Sequence, residues 1–309
     1  MKNLYLFPLF ILIVSCSKTN QNQDRISQLE QEFGLSSISP AGDGTLFFEN
    51  ISYGNDTRNQ LDIILPSDQT PKGVLIFFHG GAFVAGDKSD VFDQLFLPTI
   101  NELLANNIAV VSANYTFISS TNSQGVISAL EDGSEVISFV ENHLELMQIP
   151  ANKIILGGVS AGAGIAQWNG YRDANNRQVQ GILALAAQST YNLYEWENVF
   201  PGFQLDDLLL LSPVLSELFF QFYKTANPTE SELAAVNYIE FMDGQDPPVY
   251  VYNQAGDELI TSGGGIDFDV LYHSYLHANH LRGRAIEVGQ EFSGAFQELP
   301  ASFVLRLLK

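Results

Sequence analysis

The chain has 309 residues, with 14 Lys and Arg against 35 Asp and Glu, a formal charge of −21, 46% apolar residues and a single cysteine. That length suits one large domain or two small ones with a sizeable core, and the excess of negative charge repels phosphate, which argues against nucleic acid as a partner. One cysteine excludes an internal disulfide and a thiolate zinc cluster, and no stretch beyond the N-terminus reaches the roughly 18 uncharged apolar residues of a membrane span, which excludes a polytopic membrane protein.

Met1 to Ser15 read as an export signal, with Lys2 ahead of an apolar stretch from Leu4 to Val14 that is too short to anchor in a bilayer. The run Ile13-Val14-Ser15-Cys16 resembles the lipobox of bacterial lipoproteins, in which the signal is cut before the cysteine and that cysteine carries lipid. The resemblance implies a signal over residues 1–15, lipidation of Cys16, a membrane link through that lipid and a place in the cell envelope. Residues 16–43 are then the lipidated cysteine and a polar Gln/Asn/Ser-rich tether, with weak helical patterning through Ile26, Leu29 and Phe33. Residues 44–309 remain as the globular domain.

Short apolar, β-branched or aromatic runs predict strands at Leu46–Ile51, Gln60–Leu65, Val74–Phe78, Ile108–Asn114, Lys153–Gly157, Gly181–Leu185, Val249–Asn253 and Arg284–Val288. Several are near-continuous apolar runs, as strands buried on both faces of a parallel sheet require. Helical patterns lie at Phe92–Ala105, Val126–Leu146, Ala163–Arg172, Asp267–Leu281 and Ala295–Leu308, so strands and helices alternate as in a doubly wound α/β sheet. The turn Tyr53–Asn59, with Gly54-Asn55-Asp56, predicts an antiparallel pairing of the first two strands. About residues 188–246 the rhythm breaks. This stretch has no clear strand but many aromatic and leucine residues, among them Tyr191, Tyr194, Trp196, Leu208–Leu211 and Phe219–Tyr223. It reads as a cap-like helical insertion that faces a substrate, the alternative being a helical flank packed on the core.

Two motifs carry chemistry. Gly158-Val159-Ser160-Ala161-Gly162 follows an apolar run and precedes a helical pattern, so Ser160 sits on a tight strand–turn–helix junction that lifts its hydroxyl to the head of the sheet. The following helix turns its free N–H groups toward that point. Upstream, His79-Gly80-Gly81-Ala82-Phe83 follows the strand at Val74–Phe78, and paired glycines there let backbone N–H groups approach a developing oxyanion.

With these residues the sequence resembles the α/β-hydrolase fold, in particular the carboxylesterase and hormone-sensitive-lipase-like esterases, over about residues 46–309. The resemblance extends to Leu61-Asp62-Ile63, Gly86-Asp87-Lys88-Ser89, Asn114-Tyr115 and Asp246-Pro247-Pro248-Val249. It implies a mostly parallel eight-stranded sheet flanked by helices and a serine esterase acting on small-molecule or carbohydrate-linked esters without metal or cofactor. It further implies Ser160 as nucleophile, an oxyanion hole from the N–H groups of Gly80, Gly81 and Ala161, and His79 as a structural residue of its loop. In the family the triad acid follows the strand here read at Val249–Asn253, which designates Asp257, with Glu258 next to it.

The family's base follows the last strand, and Gly289–Phe296 contains no histidine. The remaining histidines are His143, at the end of a helix before the nucleophile, and His273, His277 and His280, on a helix expected on the outer face of the sheet. The i, i+4, i+7 spacing of these three could seat a metal, but no Glu follows the first and no carboxylate ligand is evident. The base is therefore unassigned at this level, and two functions remain. One is a carboxylic ester hydrolase. The other is a degenerate, non-catalytic α/β-hydrolase that holds a ligand from a lipid anchor.

Overall fold

The computed structural model describes residues 22–309, so the stretch read as an export signal and Cys16 lie outside the described residues. Eight strands form one sheet: β1 (Thr45–Ser52), β2 (Gln60–Pro66), β3 (Gly73–Phe78), β4 (Ile108–Ala113), β5 (Ile154–Val159), β6 (Val179–Leu185), β7 (Val249–Tyr252) and β8 (Phe292–Ser293). Their spatial order is β1-β2-β4-β3-β5-β6-β7-β8. The first pair is antiparallel, as its short turn predicts, and pairing from β4 to β8 is parallel throughout. The central strands β3, β4 and β5 are buried almost end to end, because helices cover both faces. This is the α/β-hydrolase fold.

The helices are α1 (residues 22–33), α2 (Leu97–Ala105), α3 (Val126–Met147), α4 (Ala161–Gly170), α5 (Trp196–Val199), α6 (Leu205–Leu211), α7 (Pro213–Tyr223), α8 (Glu230–Ala235), α9 (Phe268–His273), α10 (Tyr275–Val288) and α11 (Pro300–Leu307). None of the described helices is long and apolar enough to cross a membrane.

Three expectations are corrected. The strand read at Arg284–Val288 is the last part of α10: Leu281 and Ala285, one helical turn apart, face the core while Ile286 faces solvent, a 3.6-residue rather than a two-residue period. The eighth strand instead has two residues, Phe292 and Ser293, too few to show any period. The segment read as a tether is also structured from residue 22. Leu29 of α1 is fully buried, Phe33 packs on Phe48, and the Arg25 guanidinium donates to the carbonyls of Pro66, Ser67 and Gln69. The apolar positions 26, 29 and 33 thus form a stripe that docks the helix rather than a loose pattern in a linker. Finally, the helix expected as one piece over Asp267–Leu281 breaks at Ser274, which ends α9 and whose side chain caps α10 by accepting from the Leu276 N–H. That break decides the site.

Candidate active site

The nucleophile turn forms where β5 meets α4. Ser160 is held at φ 52°, ψ −116°, a strained conformation for an L-residue, with its N–H donating to the Leu185 carbonyl at 2.9 Å. The turn is tight enough that a Cβ at Gly162 would overlap the Phe78 carbonyl, so α4 approaches the end of β3 with no room for a side chain.

The oxyanion loop is fastened by residues scattered along the sequence. Gly81 adopts φ +109°, where a Cβ would overlap the Ala85 backbone, and Ala82 and Phe83 follow with φ of 52° and 61°. The buried His79 donates from Nδ1 to the Gly80 carbonyl at 2.6 Å and stacks on Tyr115 with centroids 4.3 Å apart, while Arg58 donates to its Nε2 at 3.3 Å. Burial lowers the pKa of His79, in keeping with a neutral structural ring. The Tyr115 hydroxyl donates to the carbonyls of His79 and Gly80. Farther along, Asp87 accepts from Asn114 Nδ2 at 2.9 Å, and Lys88 pairs with Asp62 at 3.2 Å. Burial raises the Asp87 carboxyl, but hydrogen bonds from Ser89 and Asn114 outweigh it and bring the pKa to about 2. Residues that the sequence presents as separate blocks therefore converge on one loop. Among the described residues, none of the N–H groups of Gly80, Gly81 and Ala161 donates to another backbone group, and all three residues border the same cavity as Ser160. As the first residue of α4, Ala161 has no acceptor within its own helix.

The side chain that meets Ser160 is His273. Its Nε2 lies 2.9 Å from Ser160 Oγ, and its Nδ1 lies 2.7 Å from Oδ1 of Asp269, four residues earlier on the same helical turn. Asp257, expected as the acid, instead accepts a hydrogen bond from the Tyr275 hydroxyl at 2.7 Å, on the far side of the Ser274 break. The physical reason for this correction is that the chain leaving β7 continues through a loop past Asp257, and it is α9 that returns to the serine. With α9 and α10 as one continuous helix, His273 would stand on an exposed outer face; the break at Ser274 turns it inward to Ser160. The signal that was there to read is the pairing of an Asp267 cap with Asp269 and His273 at i, i+4 just ahead of a serine cap. The other histidines stand elsewhere. His143 meets Glu32 of α1 at 3.4 Å and stacks on Phe139, and His280 contacts the Ser189 hydroxyl at 3.2 Å. Among the described residues no cluster of three or more His, Cys, Asp or Glu side chains is arranged to hold a metal ion.

Three buried side chains fix the turn that carries His273. Gln188 Nε2 donates to the Tyr272 carbonyl at 2.7 Å, Asn253 Nδ2 donates to the Ser274 carbonyl at 2.9 Å, and His277 Nε2 donates to the Leu271 carbonyl at 3.0 Å. His277 is set in the Nε2–H tautomer, since its Nδ1 accepts from the Ser189 N–H at 3.2 Å. Burial pushes its pKa down to about 4. The folded state therefore binds fewer protons than the unfolded chain between pH 6.5 and 4, and the stability this buried ring confers is present above about 6.5 and lost as pH falls toward 4. The full effect is about 3 kcal/mol. Urea midpoints measured at pH 7.5 and 4.5 should drop more for the wild type than for His277→Gln, and equal drops in both would refute the assignment.

Above the serine lies a cavity of about 570 Å³, bordered by Ser160, His273, Gly80, Gly81 and Ala161 and lined on its other side by residues of α5, α6 and α7. The helical stretch between β6 and β7 thus lies over Ser160, with Trp196, Leu205, Leu208, Leu215 and Phe219 bordering the cavity.

The BD-FAE family model matches residues 61–268, about two thirds of the chain. The chain belongs to the BD-FAE family. The matched span holds the oxyanion loop, the serine turn and the helices over the cavity, and it ends one residue before Asp269. Among curated proteins, the probable isoprenylcysteine alpha-carbonyl methylesterase ICMEL1 of Arabidopsis thaliana is 38% identical over 119 residues, 38% of this chain and 23% of that protein. The match thus spans about a quarter of that relative's length. Among solved structures, a truncated carbohydrate esterase from gut microbiota superposes with a TM-score of 0.60 at 14% identity, covering 85% of this chain and 96% of that one. Esterase B of Lactobacillus rhamnosis, inhibited by a tributyrin phosphonate, does so with a TM-score of 0.57 at 12% identity, covering 92% and 82%. At these identities the BD-FAE chain shares their fold.

Proposed function

We propose that this BD-FAE protein is a serine hydrolase of carboxylic esters. The observation that carries the reading is the unbroken contact Ser160 Oγ–His273 Nε2–(Nδ1)–Asp269 at 2.9 and 2.7 Å beside a cavity and a glycine loop with free N–H groups. With Nδ1–H donating to Asp269, Nε2 is the basic nitrogen and takes the Ser160 proton as Oγ adds to the ester carbonyl carbon. The tetrahedral oxyanion accepts from the N–H groups of Gly80, Gly81 and Ala161. As the C–O bond to the alcohol breaks, His273 returns the proton to the leaving oxygen. Water, deprotonated by the same nitrogen, then adds to the acyl carbon, and as the bond to Oγ breaks His273 returns the proton to Ser160 and the carboxylic acid leaves. The non-catalytic alternative rested on a missing base, and the Ser160–His273 contact supports the catalytic reading over it.

The test is hydrolysis of p-nitrophenyl acetate and butyrate, with fluorophosphonate labelling, by the wild type and Ser160→Ala. Turnover and labelling are expected in the wild type alone. Equal background rates and no labelling in either protein would overturn the reading. We further propose, on the run Ile13-Val14-Ser15-Cys16, that Cys16 is lipidated and tethers the enzyme in the cell envelope. Detergent partitioning with intact-mass measurement should show a lipid adduct that Cys16→Ala lacks, and an unmodified Cys16 would end that proposal.

A further inference from the structure

The cavity over Ser160 is chemically lopsided. Its far wall is built from Leu205, Leu208, Leu209, Leu215, Leu218 and Phe219, contributed by two helices that meet at the Ser212–Pro213 junction. Of the polar side chains that border it, those of Tyr191 and Gln188 are engaged, while the Tyr272 hydroxyl makes no hydrogen bond among the described residues. The Tyr191 hydroxyl donates to the Ala161 carbonyl at 2.9 Å, and the Gln188 amide group is spent on the Tyr272 carbonyl. Among the described residues, no Lys, Arg, Asn or Thr lines the cavity. A sugar placed against this wall would leave its hydroxyls without partners, at a cost a hydrocarbon does not incur. The α6–α7 wall is mainly aliphatic, five leucines against Phe219 and Phe222, while Phe83, Phe96, Tyr191, Trp196, Phe203 and Tyr272 border the rest of the cavity. Branched, rotatable side chains conform to a flexible chain, whereas a planar ring gains most from stacking on other rings. Among the described residues, the carboxylates that border the cavity are Asp90 and Asp93, which repel an anionic group.

From this composition we infer that the site takes esters of medium-chain aliphatic acids with uncharged alcohols, the acyl chain lying along the leucine wall of α6 and α7. The inference rests on the esterase reading above and deepens it. Each methylene that leaves water for such a wall is worth about fourfold in kcat/KM.

The experiment compares p-nitrophenyl acetate, butyrate, octanoate and decanoate with the wild-type protein and Leu208→Trp, and methyl octanoate with methyl ferulate. The expected result is a steep rise from acetate to octanoate, and an octanoate-to-acetate ratio about tenfold lower in Leu208→Trp, whose indole fills the wall. Acetate turnover that requires Ser160, together with a flat or falling series or with faster cleavage of methyl ferulate, would overturn the inference and leave the esterase reading standing. Calorimetric binding to Ser160→Ala separates the two without turnover. Methyl octanoate, with six more methylenes, should bind about 3,000-fold tighter than methyl acetate if each contributes the same increment. Equal binding would overturn the inference, and tighter octanoate binding by a protein that hydrolyses no ester would overturn the esterase reading alone.

Discussion

His273→Ala is expected to lower kcat for p-nitrophenyl butyrate by about 10⁴- to 10⁶-fold, the range seen when a triad histidine is removed from a serine hydrolase. The serine hydroxyl is a weak nucleophile at neutral pH, and among the described residues His273 is the histidine within hydrogen-bond reach of it. Truncation should leave the fold intact, because the His273 side chain is 27% exposed and its removal strands no buried donor other than the serine. Added imidazole should restore part of the rate by entering the vacated space. His143→Ala is the matched control: that ring packs between α1 and α3, and its loss should change kcat by less than about threefold. A His273→Ala enzyme within tenfold of the wild type would show that proton transfer runs through another group.

The second large effect separates the two aspartates. Asp269→Asn should lower kcat by about 10²- to 10³-fold, whereas Asp257→Asn should stay within about threefold. Asp269 holds the Nδ1–H of His273 and so fixes the tautomer that presents Nε2 to the serine. Its side chain is 75% exposed, so water screens its charge, and the loss is placed below the roughly 10⁴-fold measured where a triad aspartate is buried. Asp257 has only the Tyr275 hydroxyl as its side-chain partner and makes no contact with His273 among the described residues. A larger loss from Asp257→Asn than from Asp269→Asn would mean that the loop after β7 supplies the acid and that the α9 arrangement does not persist in solution. Steady-state kcat for the two variants, with far-ultraviolet circular dichroism as a check on folding, decides it.

An acid and base on one turn of one short helix are coupled differently from a pair on two loops. In the arrangement implied by the resemblance, acid and base follow different strands, and the sheet sets their separation. Here α9 sets it, and the clamps from Gln188, Asn253 and His277 set where α9 stands relative to Ser160. The chain therefore concentrates the precision needed for proton transfer in three hydrogen bonds to consecutive or near-consecutive carbonyls of residues 271–274.

Much of the architecture is legible in the chain because it follows from local rules. β3, β4 and β5 are continuous apolar runs since both their faces are covered, and the antiparallel start shows in the short turn between β1 and β2. Gly81, Ser160 and Gly162 are readable for the same reason, as backbone conformation and close approach dictate their residue type within a few positions. Where local signal is thin or two-sided, reading from sequence goes astray. Phe292–Ser293 is too short to carry a period, and Arg284–Val288 holds β-branched residues as a strand would, while Leu281 and Ala285 set the true helical face. The base lies farthest from local inference. Ser160 and His273 are 113 positions apart, and nothing within either segment encodes their meeting. That meeting depends on the break at Ser274 and on side chains from the loop after β6 and the end of β7, contacts that exist only once the sheet has brought those loops to one edge. The sequence alone thus determined the sheet, the serine turn and the glycine loop, whose requirements are local. Which histidine and which aspartate stand beside that serine was decided by tertiary packing, because the proposed proton relay needs atoms within about 3 Å and only long-range contacts can place them there.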